Sequence, residues 1–449
     1  MKYLNYIIGL LVLSSPIFSQ SSLNTTLISA WTDPLNPSVG YNDIWGYADA
    51  TAGEFAIIGS RTHINFVDIN DPANPFSVTT YQGGDNTTWR DIKTYSHYAY
   101  TVCDNCNEGM HIFDLSTLPN TATHVNQITS YFNDAHNIYI ENGRLYVVGV
   151  AESVPNTTIV YDLLIFDIAT DPVNPILLAS VDLDAVVGNT SNLLYIHDIF
   201  VQGNKAYASH GYRGYYIWDV SDPLNVTLIA DNKFGGYNHS SWISECGQYA
   251  YVAEEVGKGL PMQVVDLTNM SNGIASVGTF IDNLGPVGGT NQYNVTHHNP
   301  FVHNDLLYIA NYEDGVKIYD IRDPANPNLY GYYDSYPDND IEGEYKGYFG
   351  VWGAYPYLPS GLLLASDRKY GLQVIDVDLF DCNNTVKIIG NEMTSANEKY
   401  SCCIISGFNS SISNNVQSKY TAGQYIELSA NFEVKLGSQV LFSIEVCEN

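Results

Sequence analysis

Apolar residues in this chain come in short runs bounded by turn-forming residues, and seven of these runs close on an aspartate. The aspartates are Asp68 (INFVD), Asp114 (MHIFD), Asp167 (LLIFD), Asp219 (YYIWD), Asp266 (MQVVD), Asp320 (VKIYD) and Asp376 (LQVID). Runs of this length, rich in β-branched and aromatic side chains, read as strands. Successive aspartates lie 46 to 56 residues apart. That period suits a four-stranded propeller blade and is too long for a leucine-rich or helical repeat.

Each unit has the same internal order. A first strand such as Asp91-Ile92-Lys93 or Asn137-Ile138-Tyr139 leads into a turn, as at Asn142-Gly143 or Gly203-Asn204, whose residues tolerate positive φ. A second strand follows (RLYVVG, KAYASH, QYAYVAEE, LLYIANY), then the strand ending on Asp. Four units continue into an Asp-Pro turn at Asp71, Asp171, Asp222 and Asp323, where proline lacks the N–H that a central strand needs. An outer strand comes last. The seventh unit lacks one, and its counterpart lies at the other end of the chain, in Thr26 to Trp31. Pairing the two would remove open sheet edges.

The predicted fold is therefore all-β, a seven-bladed β-propeller closed by an N-terminal strand, with six blades and a spare hairpin as the competing arrangement. The expected domains are a signal peptide over 1–19, the propeller over 20–380 and a small β module over 381–449. The module's strands, such as Tyr425 to Leu428 and Val440 to Ile444, bury little by themselves, which gives its cysteines a stapling role.

The first segment carries Lys2, an apolar run from Tyr6 to Leu13, and then Ser14, Ser15 and Pro16, the three-part build of a secretory leader with Ser19 before the cut. No later run approaches twenty apolar residues, so no membrane helix is expected. The expected location is secreted or cell surface. With 48 acidic against 18 basic side chains, a formal charge of −30, the surface repels phosphate backbones, which excludes nucleic acid as a partner. Seven cysteines in an exported chain imply disulfides with one thiol left over. Cys103 and Cys106 suit a local bridge better than half a zinc site, because no second C-x-x-C exists. Cys382, Cys402, Cys403 and Cys447 allow three pairings that sequence does not distinguish.

Superposing the units on their first strands places Arg90, His136, His197, His239 and His298 at one equivalent position, where first strands converge on the channel mouth. Second strands end at the same face on Asp104, His210, Glu254, Asn311 and Asp367. The expected polar ring is thus Arg90, His136, His197, His239 and His298 with His210 and Glu254. Imidazole binds iron, copper or zinc, and His136, His197, His239 and His298 are the candidate ligands of such a metal. The opposing reading has the same histidines hydrogen-bonding neighbouring loops and locking blade to blade. The acidic stretch Asp334 to Asp340, with Glu342 and Glu344, is a candidate Ca²⁺ loop without the spacing of a known one. No nucleophile elbow, phosphate loop or His-Glu-x-x-His is present.

The Asp-terminated strands resemble the LVIVD repeat, and residues 27 to 378 resemble the bacterial choice-of-anchor B family. The resemblance rests on YNDIWGY (41–47), WRDIKTYSHYAY (89–100), His136-Asn137, His197-Asp198, His239 with Trp242, His298-Asn299 and WGAYPYLPSG (352–361). Ser240-Ser241 after His239 and Pro300 after Asn299 depart from it. The tail is similar to a β-stack module of Bacteroidetes surface proteins. The resemblance implies an exported propeller joined to a variable C-terminal anchoring region, and no activity comes with it. The expected function is a secreted or surface binding module for an extracellular protein or glycan, more a binder than an enzyme. The alternative is a metal-dependent enzyme with a histidine-ringed site.

Overall fold

The computed structural model describes residues 21–35, 40–150, 162–188, 195–271, 273–281, 295–336 and 348–378, and beyond them the backbone of short strands between Thr385 and Ile444. The proposed leader, the acidic residues 337–347 and the four C-terminal cysteines lie outside the described residues.

Seven antiparallel sheets follow one another along the chain: blade 1 over 41–82, blade 2 over 89–128, blade 3 over 137–181, blade 4 over 198–232, blade 5 over 237–280, blade 6 over 299–333 and blade 7 over 351–377. First strands of adjacent blades touch all the way round, blade 7 against blade 1 included, so the sheets form a closed ring of seven. Blade 7 takes its fourth strand from Thr25–Trp31, which pairs antiparallel with Gly371–Val377. The residues just before it, Ser22–Leu23, pair with Asn328–Tyr333 at the outer edge of blade 6. One N-terminal segment therefore covers the edges of two blades.

The recurring aspartate has a local cause. In six blades its side chain accepts the backbone N–H two residues on: Asn70 on Asp68, Ser116 on Asp114, Ala169 on Asp167, Ser221 on Asp219, Thr268 on Asp266 and Arg322 on Asp320, all at 2.8 to 3.0 Å. The third strand thus ends in an Asx turn that starts the connection outward. In blade 7 Asp376 pairs with Thr26 of the closing strand. The Asp-Pro turns are clamped in the same way, Asp71, Asp171 and Asp323 each accepting the side-chain amide of the Asn three residues on. Carbonyls of these turns also receive the preceding blade: Tyr100 Oη donates to Pro172 O at 2.8 Å and Tyr251 Oη to Pro324 O at 3.1 Å.

Seven apolar clusters, one at each blade–blade contact, make up the core. The contact of blades 3 and 4 holds Trp218, Tyr146, Leu163 and Ile199, and that of blades 7 and 1 holds Trp31, Tyr41, Ile58 and Val374. Burying one such side chain contributes roughly 1.5–3 kcal/mol, so stability resides in contacts between blades and requires the ring to close. Hairpin turns at Asn142-Gly143 and Gly203-Asn204 have positive φ at both residues, as the sequence pattern predicts.

Cys103 and Cys106 are joined in a disulfide, and Cys246 is a free, exposed thiol. Among the described residues no helix is long and apolar enough to cross a membrane. The C-terminal strands pair in parallel, which strand-by-strand reading does not foresee: Thr385, Ile404 and Tyr425 stack in one sheet, Glu392, Ser411 and Glu433 in a second, and Asn397 with Ser418, then Gln417 with Gln439, in a third. Three successive coils each give one strand to each of three sheets.

Candidate functional site at the channel mouth

First strands expose alternate residues to the channel axis, and these form layers. The outer layer is Asp43, Asp91, Asn137, Asp198, Ser240 and Asn299, and two residues further in lie Trp45, Lys93, Tyr139, Phe200, Trp242 and Phe301. The deeper layer is packed aromatic ring on ring, with Phe200 4.5 Å from Trp242 and Trp242 5.1 Å from Phe301. Lys93 Nζ sits 4.6 Å over the Trp45 ring and donates to Asp91 at 2.8 and 3.0 Å. Burial pushes Asp198 up to about 7, with the charge of Asp91 adding to the effect. The carboxylates also join blades, Asp43 accepting the Ile92 N–H at 2.9 Å and Asp91 the Ile138 N–H at 2.8 Å. This layer encloses only about 30 Å³, room for little more than water.

Above it, at the mouth, four histidines stand side by side. Ring centroids are 4.2 Å apart for His136 and His197, and 4.3 Å for both His197 with His239 and His239 with His298. Their Nδ1 atoms are all spent on structure. His197 Nδ1 donates to His239 O at 3.1 Å, His239 Nδ1 to His298 O at 3.1 Å and His298 Nδ1 to Trp352 O at 2.5 Å, each crossing to the next blade. His136 Nδ1 meets Asp104 Oδ2 at 2.8 Å instead. A carbonyl has no proton to give, so the hydrogen on these three rings sits on Nδ1 and Nε2 keeps its lone pair when the ring is neutral. Burial, reinforced by the neighbouring imidazoles, holds His197 and His298 well below the usual histidine range. His239 is also lowered by burial, against the opposing charge of Glu255.

A cavity of about 420 Å³ opens over these rings, lined by the four histidines with Glu255, Tyr312, Arg368, Thr88, Trp89, Tyr348 and Trp352. Glu255 Oε2 lies 3.6 Å from His239 Nε2, and its other oxygen accepts the Tyr312 hydroxyl at 2.8 Å. Burial, with the Glu255 charge beside it, pushes the Tyr312 phenol well up, so it remains a donor. Tyr312 adopts φ +47°, an uncommon conformation for a residue with a side chain. It is held there by paired backbone bonds with Val351, at 3.0 and 2.8 Å. The close approach depends on Gly350, where a Cβ would fall 2.1 Å from the Tyr312 carbonyl oxygen. The Arg368 guanidinium lies 5.2 Å over the Trp352 ring and donates to the Tyr348 carbonyl.

The structure brings His136, His197, His239 and His298 together; of the other three members of the expected ring, Arg90 borders a small space of about 20 Å³ with them while its side chain points away, and Glu254 and His210 lie elsewhere. Arg90 turns away between blades 1 and 2, forked on Glu108 with two bonds of 3.0 Å and donating to Ser60 O. Glu254 accepts from Gly236 N and Asn238 Nδ2 within blade 5. His210 accepts the Trp218 indole N–H at 3.3 Å. Asn311 and Asp367, the equivalent strand ends, meet His297 and Ser335. In blades 5, 6 and 7 it is the residue after each strand end, Glu255, Tyr312 and Arg368, that faces the mouth. Extending the strand-end alignment by one position would have found all three, since side chains one step apart point to opposite faces.

Residues 301–335, in blade 6, match the LVIVD repeat. No curated protein matches the chain. Among solved structures, the fold is similar to a protein from Lactobacillus plantarum, 12% identical, covering 73% of this chain and 89% of that one with a TM-score of 0.50. It is also similar to the β-propeller domain of Myceliophteria thermophila Cps50 (Swd1), 12% identical, covering 78% of this chain and 98% of that one with a TM-score of 0.51. At such identities the likeness concerns the fold. The chain is a seven-bladed β-propeller carrying an LVIVD repeat.

Proposed function

We propose that the chain is an exported binding module, displayed at or released from the cell surface, whose ligand seat is the cavity at the channel mouth and whose ligand is a glycan. The observation that carries this reading is the cavity's wall chemistry. Trp89 and Tyr348 are partly exposed and line it with Trp352, and imidazole Nε2 lone pairs, the Glu255 carboxylate and Arg368 supply acceptors and a cation. A sugar ring offers the complement, an apolar face for an aromatic ring and hydroxyl edges for acceptors. At about 420 Å³ the cavity is in the size range of small-ligand sites. The leader-like segment at 1–19, the acidic composition and the Cys103–Cys106 disulfide support export.

Calorimetry and array binding of the chain lacking residues 1–19, against neutral and acidic saccharides, test the reading. Trp89→Ala and Arg368→Met are expected to weaken binding at least tenfold, about 1.4 kcal/mol, with unchanged circular dichroism. Saccharide binding that ignores both substitutions would put the seat elsewhere. An absence of saccharide binding, with capture of peptides through the same residues, would replace the glycan by a protein partner.

A further inference from the structure

Two acceptors face each other inside the mouth cavity. Because His239 Nδ1 donates to the His298 carbonyl, the neutral ring directs a lone pair from Nε2 toward the cavity, and Glu255 Oε2 stands 3.6 Å away. That is longer than a direct hydrogen bond and sets a ring nitrogen and a carboxylate oxygen side by side at the cavity wall. A divalent cation would take both atoms as ligands.

The third corner is already in place. One ligand atom each from His239, Glu255 and His298 can be chosen so that all lie within 4.8 Å of one another. A tetrahedral centre with bonds of about 2.0–2.1 Å has ligand–ligand edges of about 3.3–3.4 Å. The His239–Glu255 separation of 3.6 Å is close to such an edge before any side chain moves. Each donor also has its outer partner. His239 and His298 are oriented by Nδ1–H bonds to main-chain carbonyls, and Glu255 is held by the Tyr312 hydroxyl on the oxygen away from His239.

We propose that His239, His298 and Glu255 form a binding site for a divalent first-row transition metal, with Tyr312 as its positioning residue. Two imidazoles, one carboxylate and no thiolate suit Zn²⁺ or Fe²⁺. Three protein ligands leave coordination positions directed into the cavity, beside His197 and Arg368, where a ligand hydroxyl or carboxylate completes the sphere. The proposal rests on the mouth being a ligand seat and adds that part of the ligand's hold is through the metal.

The test strips the full propeller with a chelator, reloads it separately with Zn²⁺, Fe²⁺ under anaerobic conditions, and Co²⁺, and measures metal per chain after gel filtration. About one ion per chain is expected. Glu255→Gln, which leaves the histidine row intact, and His239→Ala are each expected to reduce affinity at least a hundredfold. Tyr312→Phe should keep the stoichiometry, weaken binding on the order of tenfold and shift the visible spectrum of the Co²⁺ form. His303→Ala, outside the cavity, should change nothing. Absence of stoichiometric metal in the unsubstituted chain, or metal retained in both Glu255→Gln and His239→Ala, would overturn the site. Saccharide binding measured on the stripped chain through Trp89 separates failure of the metal site from failure of the seat.

Discussion

Turn-forming aspartates account for part of this chain's acidity without invoking a polycationic partner. The Asp residues that close third strands, and those that open the Asp-Pro turns, are consumed by turns. Hydrogen bonds from Thr170, Asn174, Ser221 and Thr268 hold Asp167, Asp171, Asp219 and Asp266 below the ordinary aspartate range. Asp305 behaves oppositely. It sits in the hairpin turn Asn304-Asp305, both at positive φ, and burial pushes it up to about 6, helped by Glu245 and Asp320 against the pull of Arg322. Between the unfolded aspartate value near 3.8 and about 6 the folded chain keeps a proton that the unfolded chain has lost. Stability therefore falls as pH rises through that window, and the cost is fully present above it. Asp305→Asn keeps the turn, because asparagine tolerates positive φ. It is expected to raise the melting midpoint at pH 7.5 on the order of 1–2 °C and to leave it unchanged near pH 3.5. An equal rise at both pH values would assign the effect to something other than ionisation.

Among the elements, the N-terminal strand has an importance beyond its length. Thr25–Trp31 completes blade 7 and puts Trp31 into the contact of blades 7 and 1, with Leu27 and Ile28 packed against neighbouring clusters. Ser29 Oγ also reaches the Pro72 carbonyl of blade 1 at 2.5 Å. Removing residues 22–31 is expected to cost roughly 5 kcal/mol or more from lost apolar burial alone. It also bares the Gly371–Val377 edge, so the truncated chain should associate in light scattering at concentrations where the whole chain does not. A truncated chain that melts as before and elutes as a monomer would show that the ring does not need this closure. The inner-strand layers have a comparable logic. Asp43 and Asp91 each take a backbone N–H of the next blade, and three histidines give theirs to the next blade's carbonyl, so the same side chains close the ring and shape the cavity.

For the whole molecule, the seven interblade clusters of the described residues draw on blades 1 to 7, the loops between them and the closing strand. A chain ending at residue 378 is accordingly expected to melt with the same midpoint as the full chain and to keep the metal and saccharide behaviour of the mouth. A lowered midpoint would mean that the coils brace the ring. The repeat itself was legible in the sequence because an Asx turn is a local event: six aspartates act on an N–H two residues away, and spacing alone reveals them. Closure by Thr26 to Trp31 was legible too, since a blade missing its last strand and an orphan strand at the other end fit only each other. The histidine row could be aligned for the same reason. The inward-facing partners could not. Whether Glu254 or Glu255 meets the channel depends on register irregularities where Tyr237–Ile243 pairs with Tyr249–Val256, and a single-residue shift there exchanges the two faces. The parallel coils after Thr385 escaped as well, because their partners stand 19 to 22 residues apart and nothing local marks the pairing. Local hydrogen bonding and period determined the fold from sequence. Which side chains share the cavity was decided only when seven blades closed round one axis and set residues from distant parts of the chain within a few ångströms of each other.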